Sequence, residues 1–89
     1  MPSYQVQILD AAAKDLSKLG RPVASRIVKR LRWLADRMDQ IDPEPLHGDL
    51  SGFFKLRVGD HRVVYELLGD ERTIAVHAVG HRREIYRSR

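Results

Sequence analysis

The stretch that most constrains the fold is residues 53–65, FFKLRVGDHRVVY, in which apolar and charged residues alternate on both sides of a Gly-Asp pair. Successive side chains of a β-strand point to opposite faces of a sheet, and a Gly-containing pair between two such runs favours a tight hairpin turn. The pattern therefore predicts a hairpin with one apolar and one charged face. The apolar positions are Phe54, Leu56, Val58, Val63, Tyr65 and Leu67, and the cations of the other face are Lys55, Arg57 and Arg62.

The first half of the chain predicts a strand and two helices. Residues 4–9 alternate as a half-buried strand, and Asp10 follows as an expected N-cap for a short helix over residues 11–19. Gly20 is expected at the C′ position of that helix, and Pro22 suits the first turn of the next one. The second helix should end before Asp42, because two prolines follow. Its apolar stripe is Val23, Ile27, Leu31, Leu34 and Met38.

Trp33 lies off this stripe. It either covers the sheet edge or the first helix, or it contacts a partner, since aromatic residues are enriched at interfaces.

The second half predicts a meander. Residues 46–51 read as a connection, Gly69-Asp70 as a second turn, and residues 73–79 as a third strand rich in β-branched residues. The order β-α-α-β-β-β over a single domain, residues 1–89, predicts a two-layer α+β fold. The N-terminal helical hairpin packs on one face of an antiparallel meander sheet. The other face is expected to stay open and to carry the cations.

Composition narrows the classes of function. The chain has no cysteine, which excludes disulfides and thiolate chemistry. It has no long apolar run and no signal-peptide pattern, so a cytoplasmic location is expected. The formal net charge is +4, and residues 51–89 hold eight Lys/Arg against five Asp/Glu, which favours a polyanionic partner.

No metal or cofactor site is expected. His77 and His81 are four residues apart, a spacing that suits metal binding from a helix but falls here on a strand and its exit. No Gly-rich phosphate loop is present.

The charged face could instead bind and cleave RNA. Antiparallel neighbours bring the end of one strand beside the start of the other, so Arg82 and His81 are expected near Arg62. Arginine forks suit phosphate, and an exposed Tyr86 could stack on a base. RNA carries its own nucleophile, the 2′-hydroxyl, so a base, an acid and charge stabilisers suffice, with Lys55 as a possible base. A solvated sheet face with charges that prevent edge pairing stays the plain alternative.

Two motifs, FKLRVGDHRVVY at residues 54–65 and VHAVGHRREIY at residues 76–86, resemble the RelE group of the RelE/ParE toxin superfamily over nearly the whole chain. The resemblance implies a toxin of a type II toxin–antitoxin pair, an endoribonuclease that cuts mRNA in the ribosomal A site and needs no metal. It also implies a cognate antitoxin as partner, with operator DNA bound only through that antitoxin.

The resemblance also implies roles for six residues. Lys55 matches a residue of proton transfer or phosphate binding, Arg62 a transition-state stabiliser and Arg82 a proposed general acid. The remaining matches are Arg57 as a basic residue of the same strand, Tyr86 as the base-stacking tyrosine and His81 as an alternative acid or base. Where relatives carry a further lysine, this chain has Phe53, which leaves the general base open.

Two other functions fit the same fold. One is a ParE-like inhibitor of DNA gyrase, and the other is a non-catalytic module that binds an antitoxin.

Overall fold

The predicted hairpin lies within a five-stranded sheet in the computed structural model, which describes residues 3–86. The spatial strand order is β1-β5-β4-β3-β2. The strands β3, β4 and β5 form the predicted antiparallel meander, whereas β1 runs parallel to β5. The α+β class is confirmed. The strands are β1 Gln5–Ile8, β2 Glu44–Pro45, β3 Phe54–Val58, β4 His61–Leu68 and β5 Thr73–His81.

The short strand β2 corrects the predicted element order. It pairs with the first two residues of β3, with Glu44 opposite Lys55 and Pro45 opposite Phe54. Two residues carry no alternation to detect, and the prolines at positions 43 and 45 indicate only the end of a helix. Proline is tolerated there because β2 is an edge strand, where a missing N–H is not needed by a neighbour.

Two helices, α1 Asp10–Ser17 and α2 Arg21–Arg37, precede β2. Leu9 is the N-cap of α1 and makes no side-chain cap, so Asp10 is the first helical residue and not the predicted cap. Its carboxylate still lies in the first turn, where it favours the helix dipole. Gly20 has φ +81° and is the N-cap of α2, which corrects its predicted place at the C′ position of α1.

The main core lies between the helices and the sheet. Ile27, Leu31, Leu34 and Met38 of the predicted stripe are buried, while Val23 is half-buried. They pack with the predicted apolar face of the hairpin and with β5. The buried sheet residues of this core are Leu56, Val58, Val63, Tyr65, Ile74, Val76 and Val79.

A second, smaller core covers part of the face that was expected to be open. Val64, Ala78 and Ile85 are buried there, with Leu46 and Phe53 packed against them. A bulge beside Val64 helps, because Val64 pairs with Ala78 but Tyr65 pairs with Val76, which leaves His77 as an extra residue. The prediction of an open face is therefore wrong around Val64 and Ala78, which this second core covers.

The strand β5 continues two residues beyond the predicted range, to His81. Arg72 precedes it in the left-handed region, with φ +45°, and its guanidinium lies 2.8 Å from Asp39 and over the ring of Tyr4. This contact joins the β4–β5 turn to the end of α2. Within residues 3–86, none of the helices has the length and apolar character needed to cross a bilayer.

Candidate functional site

The central feature of the site is a cross-strand pair of arginines. Arg57 of β3 lies directly opposite Arg62 of β4, on the face away from the helices, beside a turn in which Gly59 has φ +59°. Like charges directly opposite each other destabilise a sheet. We call this surface, made by Lys55, Arg57 and Arg62, the cation face.

Arg62 is held against the hairpin turn. Its Nη1 donates to the carbonyl oxygens of Gly59 and His61, both at 3.0 Å. Within the described part of the chain, neither Arg57 nor Arg62 forms an ion pair with a carboxylate. The pair therefore keeps its full positive charge toward solvent, where an anion could bind.

Lys55 differs, because it has an acidic neighbour. Its Nζ lies 3.3 Å from Oε2 of Glu44, and the lysine side chain is only 27% exposed while the glutamate is 53% exposed. Glu44 thus brings a carboxylate to the cation face. Sequence reasoning missed this residue because it missed β2, the strand that carries it.

The segment after β5 is folded into a turn, although its sequence shows no pattern of a helix or a strand. The backbone N–H groups of Glu84 and Ile85 both donate to the His81 carbonyl at 2.9 Å. Ile85 then lies over Gly80, where an added Cβ would stand 3.1 Å from Ile85 Cδ1. Gly80 is the cross-strand partner of Arg62, so this C-terminal turn, residues 82–86, comes back onto the cation face.

Arg82 reaches the hairpin turn through Asp60. Its backbone N–H donates to the Asp60 carbonyl at 2.8 Å, and its Nε lies 3.9 Å from Asp60 Oδ1. Tyr86, the last described residue, is 38% exposed. The predicted proximity of Arg82 to the start of β4 is therefore observed. The sequence indicates only a turn at Asp60, and no local signal marks this residue as the partner of Arg82.

His81 lies at the same end of the sheet but on its other face. It pairs with His61, and the two rings are 5.8 Å apart. Strand alternation places both on the helix side, opposite the cation face. The Nδ1 of His81 accepts the backbone N–H of Arg83 at 3.2 Å, which leaves Nε2 to carry the proton of a neutral ring. His81 therefore lies apart from Arg57 and Arg62.

Tyr65 lies beneath the site, in the main core. Burial raises the pKa of its phenol to about 12, and the negative charge of Glu44 adds to this effect. The hydroxyl is therefore neutral at physiological pH.

A second polar pair, Glu66 and His77, lies further along the sheet face that points away from the helices. His77 Nε2 is 3.0 Å from Glu66 Oε1, and the His77 ring meets the Phe53 ring edge-on at 5.0 Å. Among the residues that the structure describes, no three His, Asp or Glu side chains are grouped so as to hold a metal ion.

Comparison with known proteins identifies the family of this chain. The family model described as "ParE toxin of type II toxin-antitoxin system, parDE" matches residues 6–86. Toxin RelG of Mycobacterium tuberculosis is 30% identical over 84 residues, which cover 94% of this chain and 97% of the relative. A putative RelE-like toxin protein of Escherichia coli is 32% identical over 80 residues, 89% of this chain and 83% of the relative.

Solved structures agree. The toxin–antitoxin complex RelBE2 of Mycobacterium tuberculosis contains a chain that matches with a TM-score of 0.82 and 27% identity, covering 94% of this chain and 97% of that one. The isolated Escherichia coli RelE toxin matches with a TM-score of 0.73 over 89% of this chain and 84% of its own, and at 23% identity it supports the fold alone. The chain therefore belongs to the RelE/ParE superfamily of type II toxin–antitoxin toxins.

Proposed function

We propose that this toxin is a ribosome-dependent endoribonuclease that cleaves mRNA in the A site. The observation that carries the proposal is the Arg57–Arg62 pair, two guanidinium groups directly opposite each other with no carboxylate partner within residues 3–86. A phosphate diester relieves the repulsion between them, and it accepts hydrogen bonds from both forks. Such a target places the toxin in the cytoplasm.

The reaction suited to this site uses the RNA's own 2′-hydroxyl. A base removes its proton, the oxygen attacks the neighbouring phosphorus, and the bond to the 5′-oxygen of the next nucleotide breaks as that oxygen takes up a proton. The products are a 2′,3′-cyclic phosphate and a 5′-hydroxyl. Arg57 and Arg62 stabilise the charge that develops on the non-bridging oxygens.

Glu44 is our preferred base. Lys55 pairs with Glu44 at 3.3 Å, and a lysine ammonium group offers donors and no acceptor. The carboxylate can accept a proton, and it lies on the same face as the arginine pair. Lys55 then holds the carboxylate and binds a phosphate oxygen.

The C-terminal turn supplies the remaining groups. Arg82, fixed to the Asp60 carbonyl, stabilises the leaving oxygen or protonates it, and Tyr86 stacks on a substrate base. His81 would serve as acid or base only if the substrate wraps around the end of the sheet.

We further propose that a cognate antitoxin neutralises the toxin and that operator DNA is bound only through that antitoxin. The support is the RelBE2 toxin–antitoxin complex, whose toxin fold this chain shares.

The test is cleavage of a defined mRNA on ribosomes with an empty A site. The wild-type protein should cut the mRNA there, and Arg62→Ala should lower the rate about 100-fold or more, the usual cost of losing a transition-state donor. Arg32→Ala, which removes an exposed cation from α2, is the control and should cut at the wild-type rate. Equal rates for the two variants would refute the role of Arg62.

The second candidate is a ParE-like inhibitor of DNA gyrase, which the match to the ParE family model favours. Induced expression followed by pulse labelling separates the two. An mRNA-cleaving toxin stops incorporation of amino acids first, whereas a gyrase inhibitor stops incorporation of thymidine and spares translation. A non-catalytic module would inhibit neither.

A further inference from the structure

A cleft between α2 and β3 lies beside the cation face. It has a volume of about 270 Å³, and Trp33, Tyr65 and Leu34 form much of its wall. Arg30 of α2 and Arg57 of β3 both line it, as do Lys55 and two carboxylates, Glu44 and Asp42.

Arg30 is held in place inside this cleft by Trp33. Its guanidinium carbon lies 4.1 Å from the centre of the Trp33 ring, and the residue is half-buried. Arg37 also lies over this ring, at 5.1 Å, but it is exposed and does not line the cleft. Within the described residues Arg30 forms no ion pair, so the stacked guanidinium keeps its charge and its donors.

The cleft is continuous with the cation face around an uncovered strand edge. The short strand β2 pairs only with Phe54 and Lys55, so β3 has no strand neighbour on this side from Leu56 onward. Arg57 lies on that uncovered part and borders both surfaces. A chain bound at the arginine pair can therefore continue past Arg57 to Arg30.

We propose that Arg30, held by Trp33, binds a phosphate of the RNA strand next to the scissile phosphate, so that the strand crosses the open edge of β3. The inference rests on the proposed function, because the RNA reaches the cleft from the cation face. Glu44 already pairs with Lys55, and the exposed Asp42 is the only other acid among the described residues that line the cleft. The excess of positive charge in the cleft favours binding of a phosphate diester. Stacking on Trp33 lowers the conformational entropy that Arg30 loses when it binds the phosphate.

Direct binding is the first measurement. The probe is a short RNA with one 2′-deoxy nucleotide at the cut site, which binds but cannot be cleaved, titrated at several salt concentrations. Arg30→Ala should weaken binding about tenfold. It should also make the slope of log K against log salt less negative by about 0.7, the value for one lost phosphate contact with a single strand. Trp33→Leu should show part of the same loss.

The matched control is Arg32→Ala, which removes the same charge from the exposed side of the same helix. The RNA affinity of Arg32→Ala should stay within about twofold of wild type, because a distant charge changes only the long-range electrostatic field of the protein. Arg30→Lys should recover the salt slope but not the full affinity, because lysine keeps the charge and loses the fork. Thermal unfolding of each variant checks that the fold is retained.

Cleavage on programmed ribosomes is the second measurement. Arg30→Ala should raise KM and leave kcat within about twofold, as expected for a group that binds ground state and transition state alike. Equal behaviour of Arg30→Ala and Arg32→Ala in the binding assay would overturn the inference. So would intact RNA binding combined with weakened antitoxin binding, which would assign the cleft to the protein partner. A wild-type protein that binds the probe through Arg30 but never cleaves would refute the proposed function alone.

Discussion

At the scale of single residues, the site depends on which charges are paired. Lys55 has Glu44 at 3.3 Å and Arg82 has Asp60 at 3.9 Å. Arg57 and Arg62 lie opposite each other and have no carboxylate partner within residues 3–86. We propose different uses for the two pairs: the carboxylate of the Glu44–Lys55 pair takes the proton, and the arginine pair binds the phosphate. The sequence shows all four cations, but only the strand register shows how they are paired.

Glu44 and Lys55 can be told apart by isosteric substitution. We expect Glu44→Gln to lower kcat about 100-fold or more, the usual contribution of a positioned general base. Lys55→Met should mainly raise KM, with a smaller effect on kcat. A kcat unchanged in Glu44→Gln but strongly lowered in Lys55→Met would return the role of base to the lysine.

The burial of Tyr65 makes the free energy of unfolding depend on pH in the alkaline range. Its pKa rises from 10 to about 12 in the folded chain, so the fold favours the neutral phenol. The stabilisation is fully present below pH 10 and is lost between pH 10 and about 12, with a total of roughly 2–3 kcal/mol. Denaturant unfolding over this range should show the loss, and Tyr65→Phe should remove that part of the pH dependence. The same slope in wild type and variant would contradict the assignment.

At the scale of elements, the C-terminal turn is the part of the site that depends most on packing. Its Ile85 lies over Gly80, and its first residue, Arg82, is tied to Asp60 of the hairpin turn. The turn has no periodic pattern in the sequence, so no helix or strand is predicted there. Only the small residue at position 80 marks the place where another segment comes close, and a single glycine in a strand has several explanations.

Gly80→Ala tests this arrangement. The added methyl would stand 3.1 Å from Ile85 Cδ1 and 3.6 Å from Ile85 Cα, so the turn must move outward. We expect a loss of about 1 kcal/mol, or about 4–8 °C in Tm, together with slower mRNA cleavage as Arg82 and Tyr86 shift.

Gly69→Ala is the matched control, since nothing lies within 4 Å of its added Cβ and its φ is not positive. It should leave cleavage unchanged. If Gly80→Ala cleaves as fast as Gly69→Ala, the position of the C-terminal turn is not important for catalysis.

At the scale of the whole molecule, the sequence predicts the features that depend on residues close together in the chain. Alternation in residues 53–65 gave the hairpin and its two faces, and the spacing of Ile27, Leu31 and Leu34 gave the buried side of α2. The features that were missed depend on contacts distant in sequence. They are the parallel pairing of β1 with β5, the two-residue strand β2 and the second core around Val64 and Ile85.

The candidate site divides in the same way. The hairpin cations were predictable, because their spacing alone places them on one face. Glu44 and Asp60 were not, since each becomes part of the site only through a neighbour across the sheet or the C-terminal turn. Arg30 was not either, because its stacking on Trp33 and its approach to β3 depend on how α2 packs.

We propose that two arginines on a sheet face, with Glu44 beside them, promote cleavage of RNA by its own 2′-hydroxyl. The most direct measurement is the chemistry of the ends left after cleavage of a defined mRNA on ribosomes with an empty A site. We expect a 2′,3′-cyclic phosphate and a 5′-hydroxyl, and no cleavage where the nucleotide at the cut is 2′-deoxy. A 5′-phosphate end, or cleavage at the 2′-deoxy position, would contradict it.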